Sequence, residues 1–237
     1  MRYDILLWDV DGTLMDFKRA EAKALSQSLE EVGVTPTEKL LTEYSRINLS
    51  YWKRLETGEL TKEEVLLGRF VEFFDKMGIE ADAEPFLMRY EGHLGHTWFI
   101  QDDSLELCKK LQEEGVRQYV VTNGWVDVQK TKLHESGFDE IMDGSFISDE
   151  FGVPKPKKEF FEVCFEQIFG MKTPSSEELS RILIIGDSLT SDMKGGINAG
   201  IDRCWYNIAG EANEDNVPVN YEIKNLWQIR EILKDGV

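Results

Sequence analysis

Ile5-Leu6-Leu7-Trp8-Asp9-Val10-Asp11-Gly12-Thr13 is the stretch whose reading decides the fold. Four apolar residues closed by a carboxylate are too few for a helix and read as a buried strand, 3–8 with its lead-in. Asp9 and Asp11 follow at a spacing of i and i+2, so both can face one site once the chain leaves the pleat. One of them can serve as nucleophile or metal ligand and the other as acid or base. The same letters open a calcium loop, but that reading fails in detail. Counted from Asp9, Leu14 falls where the loop needs Gly, and Ala20 falls where it needs Glu.

Working outward, further short apolar runs at 118–122, 145–147, 181–185 and 203–206 read as strands. Between them, 103–114 and 157–169 carry apolar residues at helical spacing (Leu105, Leu107, Cys108 and Leu111; Phe160, Phe161, Cys164, Phe165 and Ile168). This alternation predicts an α/β fold, a parallel sheet covered by helices. Residues 16–95 differ, with no good strand and helical patterns at 20–32, 38–56, 62–77 and 83–93, separated by Gly33, Gly58 and Gly78. Eighty residues of helix inside an α/β alternation imply an insertion. The expected organisation is a discontinuous core, 1–15 with 96–237, and an all-helical module, 16–95. Residues 207–220, rich in Gly, Pro, Asn and acids, read as a surface loop.

Three more loops follow strands and carry reactive groups. Val121-Thr122-Asn123-Gly124 offers a hydroxyl, an amide and a glycine turn suited to an oxyanion. In Gly152-Val153-Pro154-Lys155-Pro156, two prolines stiffen the backbone around a lysine that can reach a fixed anion. Gly186-Asp187-Ser188-Leu189-Thr190-Ser191-Asp192 places two carboxylates where a strand becomes a helix, oxygen ligands that suit a hard cation such as Mg²⁺. All four loops fall at the carboxyl ends of strands, the edge where open α/β sheets bind ligands.

In this order the four motifs resemble the phosphatase branch of the haloacid dehalogenase (HAD) superfamily. The resemblance implies a Rossmann-like parallel sheet, the HAD fold, with the helical insert as a type-I cap. It implies Asp9 as the nucleophile that forms an aspartyl-phosphate and Asp11 as general acid/base. Thr122, the Asn123 backbone and Lys155 would hold the phosphoryl oxygens. Mg²⁺ would be bound by Asp9, the Asp11 carbonyl and Asp187, with Asp192 in or just behind that shell. Dehalogenases of the superfamily lack the second carboxylate of the first motif, so Asp11 favours phosphate-ester hydrolysis.

A narrower likeness is carried by Glu150-x-Gly152-x-x-Lys155-Pro156, Lys158-x-Phe160-Phe161, Lys194-Gly195-Gly196, Cys204-Trp205-Tyr206-Asn207 and Asn48-Leu49-Ser50-Tyr51-Trp52. These resemble the bacterial pyrimidine 5′-nucleotidases, which act on dUMP, dTMP, UMP and modified analogues. Tyr51, Trp52 or Phe17 would then offer a face to the base, or these aromatics would only bury the inserted helices against one another. A sugar-phosphate or phosphoglycolate phosphatase and a phosphoglucomutase-like transferase would use the same four motifs.

Composition agrees and excludes. The 237-residue chain carries a formal charge of −18, which argues against nucleic acid polymer as a partner and leaves a small phosphorylated metabolite open. The longest apolar runs fall far short of the roughly 20 residues that span a bilayer, and the N-terminus does not read as a signal peptide. Cys108, Cys164 and Cys204 are widely spaced in apolar surroundings and read as reduced, buried thiols of a cytoplasmic protein. A monomer or weak homodimer is expected.

Overall fold

The computed structural model describes residues 2–234. In chain order it contains β1 (Ile5–Trp8), α1 (Phe17–Glu31), α2 (Glu38–Glu56), α3 (Lys62–Met77), α4 (Ala83–Gly95) and α5 (Ser104–Glu113). Then come β2 (Arg117–Thr122), α6 (Val126–Ser136), β3 (Gly144–Ile147), α7 (Ser148–Phe151), α8 (Lys158–Ile168) and α9 (Ser176–Leu179). After β4 (Ile182–Gly186), a π-helical turn (Leu189–Met193) leads into α10 (Lys194–Ala199), followed by β5 (Asp202–Tyr206), β6 (Tyr221–Ile223) and α11 (Ile229–Lys234).

All strand pairs are parallel, and the sheet order is β3-β2-β1-β4-β5-β6. From β1 the chain winds outward through β2 and β3, then returns to the other side of β1 with β4. The strand order therefore reverses between β1 and β4, and a crevice forms beyond their carboxyl ends. Alternation along β1 explains the layering. Leu6 and Trp8 face one apolar cluster with Leu107, Leu111 and Leu133, whereas Ile5 and Leu7 face a second with Phe160, Phe161 and Phe165. The three cysteines are free and buried in these two layers.

α1 to α4, joined by Val128 of α6, build a third cluster rich in rings: Tyr44, Phe70, Phe73, Phe74, Phe86 and Tyr90. Asp16 caps α1, so that helix starts at Phe17, three residues before the apolar period becomes visible. The two links between these helices and the sheet run side by side. Asp16 N–H donates to the Phe99 carbonyl at 2.9 Å, and Gln101 N–H donates to the Leu14 carbonyl at 3.1 Å. Among the described residues no helix is long and apolar enough to cross a membrane.

Several elements lie outside the sequence reading, the short helices α7, α9 and α11 among them. β6 is an added sixth strand, three residues at the sheet edge beside β5. α6 was not marked as a helix, because two of its inward positions are the polar residues Gln129 and Lys132.

Candidate active site

Asp9 follows β1 and Asp187 follows β4, so the two carboxylates enter the crevice from adjacent strands. Asp192 reaches it from the π-helical turn, and Lys155 from the loop between α7 and α8. Lys155 is 1% exposed, and its ammonium donates to Asp9 Oδ1, Asp192 Oδ1 and the Val121 carbonyl, each at 2.7 Å. Those three acceptors use all three of its hydrogens. A phosphoryl oxygen reaching Lys155 would share or replace one of them.

One ammonium faces three carboxylates here. Oxygens of Asp9, Asp187 and Asp192 lie within 4.8 Å of one another, which leaves two negative charges uncompensated by Lys155. Burial pushes the Asp9 carboxyl up to about 7; Lys155 opposes the rise, while Asp192 and Asp11 add to it. Enclosure by the loops, then the charges of Asp9 and Asp192, push Asp187 well above the usual carboxylate range, although the residue stays open to solvent. For Lys155 burial acts downward, but Asp192 and Asp9 prevail and hold it above the ordinary lysine value. An all-oxygen set with surplus negative charge fits a hard divalent cation.

Asp192 is less free than Asp187. Its Oδ1 accepts from Lys155 and its Oδ2 from the Ser188 amide at 3.1 Å. Gly12 keeps the first loop close to this cluster: its φ is +96°, and a Cβ there would lie 2.4 Å from Asp187 Oδ2.

Asp11 leaves the first loop toward α6. Its Oδ2 accepts from Gln129 Nε2 at 2.6 Å and its Oδ1 from Lys132 Nζ at 2.8 Å. Thr122 Oγ1 accepts from the Gly124 amide at 3.1 Å. The Asn123 side chain is spent on neighbouring loops: it accepts from the Lys155 amide at 2.8 Å and donates to the Lys155 carbonyl at 2.9 Å and to Ser191 Oγ at 3.3 Å. It therefore fixes the loop that delivers Lys155.

The profile of haloacid dehalogenase-like hydrolases matches residues 3–200. The chain belongs to that family. Among its relatives, the HAD-hydrolase YfnB of Bacillus subtilis is 36% identical over 98% of this chain and 96% of its own. The crystal structure of YfnB bound to magnesium superposes with a TM-score of 0.90, covering 99% of this chain and 100% of that one. The pyrimidine 5′-nucleotidase PynA of Streptococcus pneumoniae is 34% identical over 100% of this chain and 98% of its own. The pyrimidine 5′-nucleotidase YjjG of Escherichia coli is 25% identical over 98% and 99%.

Within this HAD-family hydrolase α2 and α3 of the inserted helices reach the loops of the site. Thr190 Oγ1 donates to Glu56 at the end of α2. Lys62, at the start of α3, pairs with Asp149 at 2.9 Å and donates to the Gly124 carbonyl at 2.8 Å. Two of the three candidate aromatics, Phe17 and Tyr51, pack against the helical cluster. Trp52 stands apart from it, one turn before Glu56 on the same face of α2. Its indole N–H donates to Asn48 Oδ1 at 3.0 Å, and Asn48 is held in turn by Arg69 at 2.8 Å and Glu21 at 2.7 Å. Sequence reasoning missed Gln129, Lys132, Glu56 and Lys62. Gln129 and Lys132, at i and i+3, were visible only as polar letters, and nothing in the sequence tells a buried amide or ammonium from a solvated one.

Proposed function

We propose that this hydrolase cleaves phosphomonoesters through an aspartyl-phosphate on Asp9. The observation that carries the reading is the Asp9 carboxylate, fixed by Lys155 at the switch point of the sheet with a surplus of negative charge around it. In the first step an Asp9 oxygen bonds to phosphorus while the ester P–O bond breaks, and Asp11 gives a proton to the leaving oxygen. In the second, Asp11 takes a proton from water as the water oxygen bonds to phosphorus and the bond to Asp9 breaks. Thr122, the Asn123 backbone and Lys155 orient the phosphoryl oxygens.

Asp9, Asp187 and the Asp11 carbonyl would hold Mg²⁺, with Asp192 close behind them bridging to Lys155. The bound cation would offset the repulsion between a carboxylate nucleophile and a phosphate anion. Residues 16–95 act as the cap over a core of 1–15 and 96–237, excluding water and presenting side chains to the leaving group.

We assign the substrate class as nucleoside 5′-monophosphates, with pyrimidines preferred. The full-length likeness to two pyrimidine 5′-nucleotidases supports this, as does an indole held rigidly on the helix that touches Thr190. The three buried thiols fit a reducing, cytoplasmic setting. Phosphate release across nucleoside monophosphates and sugar phosphates, with Mg²⁺ present, tests the assignment. Pyrimidine monophosphates should lead the series. A ranking led by a sugar phosphate or phosphoglycolate would overturn the substrate class, and no phosphate release from any ester would overturn the chemistry.

A further inference from the structure

α6 holds a buried cation that the reaction as described above does not use. Lys132 and Gln129 are each 1% exposed, and burying an ammonium is costly unless an anion meets it. The anion is Asp11. Lys132 takes one carboxylate oxygen and Gln129 the other, from successive turns of one helix. A carboxylate turning about two side-chain bonds is thereby fixed in both position and plane.

The surroundings are shaped to allow this. A Cβ on Gly124 would lie 2.2 Å from Gln129 Nε2 and 2.7 Å from its Cδ, so with a larger residue there Gln129 would have to leave its place beside Asp11. The Phe17 ring lies 5.6 Å from the Lys132 ammonium, on the face of a π-system that favours a cation. The same helix sends Val128 into the cluster of the inserted helices, and the Trp125 ring at its start packs there too, so its position is set from both sides.

We infer that Lys132 and Gln129 are positioning residues that aim Asp11 at the water attacking the aspartyl-phosphate. The inference rests on the acid/base role proposed for Asp11. Without the clamp Asp11 still exists but samples many orientations, and the second step slows. In that step a water O–H bond breaks toward Asp11, an O–P bond forms and the P–O bond to Asp9 breaks. The first step is spared whenever the leaving group needs no proton.

4-Nitrophenyl phosphate separates the two steps, because 4-nitrophenolate departs unprotonated. Rapid mixing of the Mg²⁺-loaded enzyme with this ester reads phosphorylation as a burst and water attack as the steady state. For Lys132→Met and Gln129→Met the burst rate constant should stay within about twofold of wild type, while the steady-state rate falls at least about tenfold. Acid-quenched enzyme should then carry more phosphoryl label. Lys130→Met, which removes an exposed ammonium of the same helix, should match wild type in both phases. Burst and steady state falling together, or neither falling, would overturn the positioning role. Should Lys132→Met not fold, Gln129→Met carries the test, since it removes no buried charge. A wild type that never forms phosphoenzyme would instead overturn the reading of Asp9.

Discussion

Lys155→Met removes the one cation buried among the three carboxylates while keeping the length of the stem. In the native protein that ammonium meets Asp9 and Asp192 at 2.7 Å, and Asp192 is 1% exposed. Removing one partner of a buried pair costs about 3–5 kcal/mol, because the remaining charge has lost its compensation without regaining water. Here one lysine serves two carboxylates, and the Val121 carbonyl loses its donor as well. At roughly 2–4 °C per kcal/mol for a chain of this size, Tm should fall by about 6–20 °C in EDTA. Thermal unfolding followed by circular dichroism, in EDTA and then with Mg²⁺ added, measures it. Mg²⁺ should restore more of the loss in the variant than it adds to wild type, since the divalent cation takes over part of the missing positive charge. Turnover should drop at least about a hundredfold. A variant that melts within about 2 °C of wild type in EDTA would refute the claim that Lys155 balances the site.

Asp187→Ala should weaken Mg²⁺ binding, read by calorimetric titration, more than Asp192→Ala. Asp192→Ala should lower Tm more, because Asp192 already bonds Lys155 and the Ser188 amide; the opposite order would exchange their roles. Burial, with the Asp192 charge adding and the Thr190 hydrogen bond opposing, raises Glu56 from its ordinary 4.5 to about 7. The folded state then holds that proton more tightly than the unfolded chain. The contribution of Glu56 to stability is full below about pH 4.5 and is lost as pH climbs through 7. Glu56→Gln, melted in EDTA, should therefore gain on wild type between pH 5 and 7 and level off above, and a difference that stays constant across pH 5 to 7 would contradict the assignment. Trp52→Ala should raise KM for pyrimidine monophosphates about tenfold while leaving 4-nitrophenyl phosphate near wild type; equal effects on both would remove Trp52 from base recognition.

The sheet was legible where physics leaves a local mark. β1 and β4 are buried along their length and read as unbroken apolar runs, β2 shows the same signal only over Tyr119–Val121, and the loops after all three carry the reactive residues because the strand ends define the crevice. The four inserted helices were legible from period and from their glycine stops. β6 was not, since Tyr221-Glu222-Ile223 is too short and mixed to separate from a turn and gains its partner only through β5. The clamp on Asp11 was hidden for a related reason: Gln129 and Lys132 are polar residues whose burial comes from tertiary packing alone. The resemblance assigns only the backbone of Asn123 a role at the phosphoryl group, and the sequence carries no sign that its side chain ties down the Lys155 loop 32 residues away. Among the aromatics, only packing separates Trp52, beside its polar anchor, from Tyr51, whose ring rests where a Cβ on Gly68 would approach to 2.8 Å.

Location of the covalent phosphoryl group tests the central claim most directly. The enzyme is mixed with Mg²⁺ and a ³²P-labelled phosphomonoester, quenched in acid during turnover, reduced with borohydride and sequenced by mass spectrometry. Borohydride converts an aspartyl-phosphate to homoserine, so the product should appear at position 9 of the chain and vanish in Asp9→Asn, which should also lose turnover while remaining folded. Steady phosphate release with no modified residue, or with the modification at Asp11 or any other carboxylate, would contradict the account.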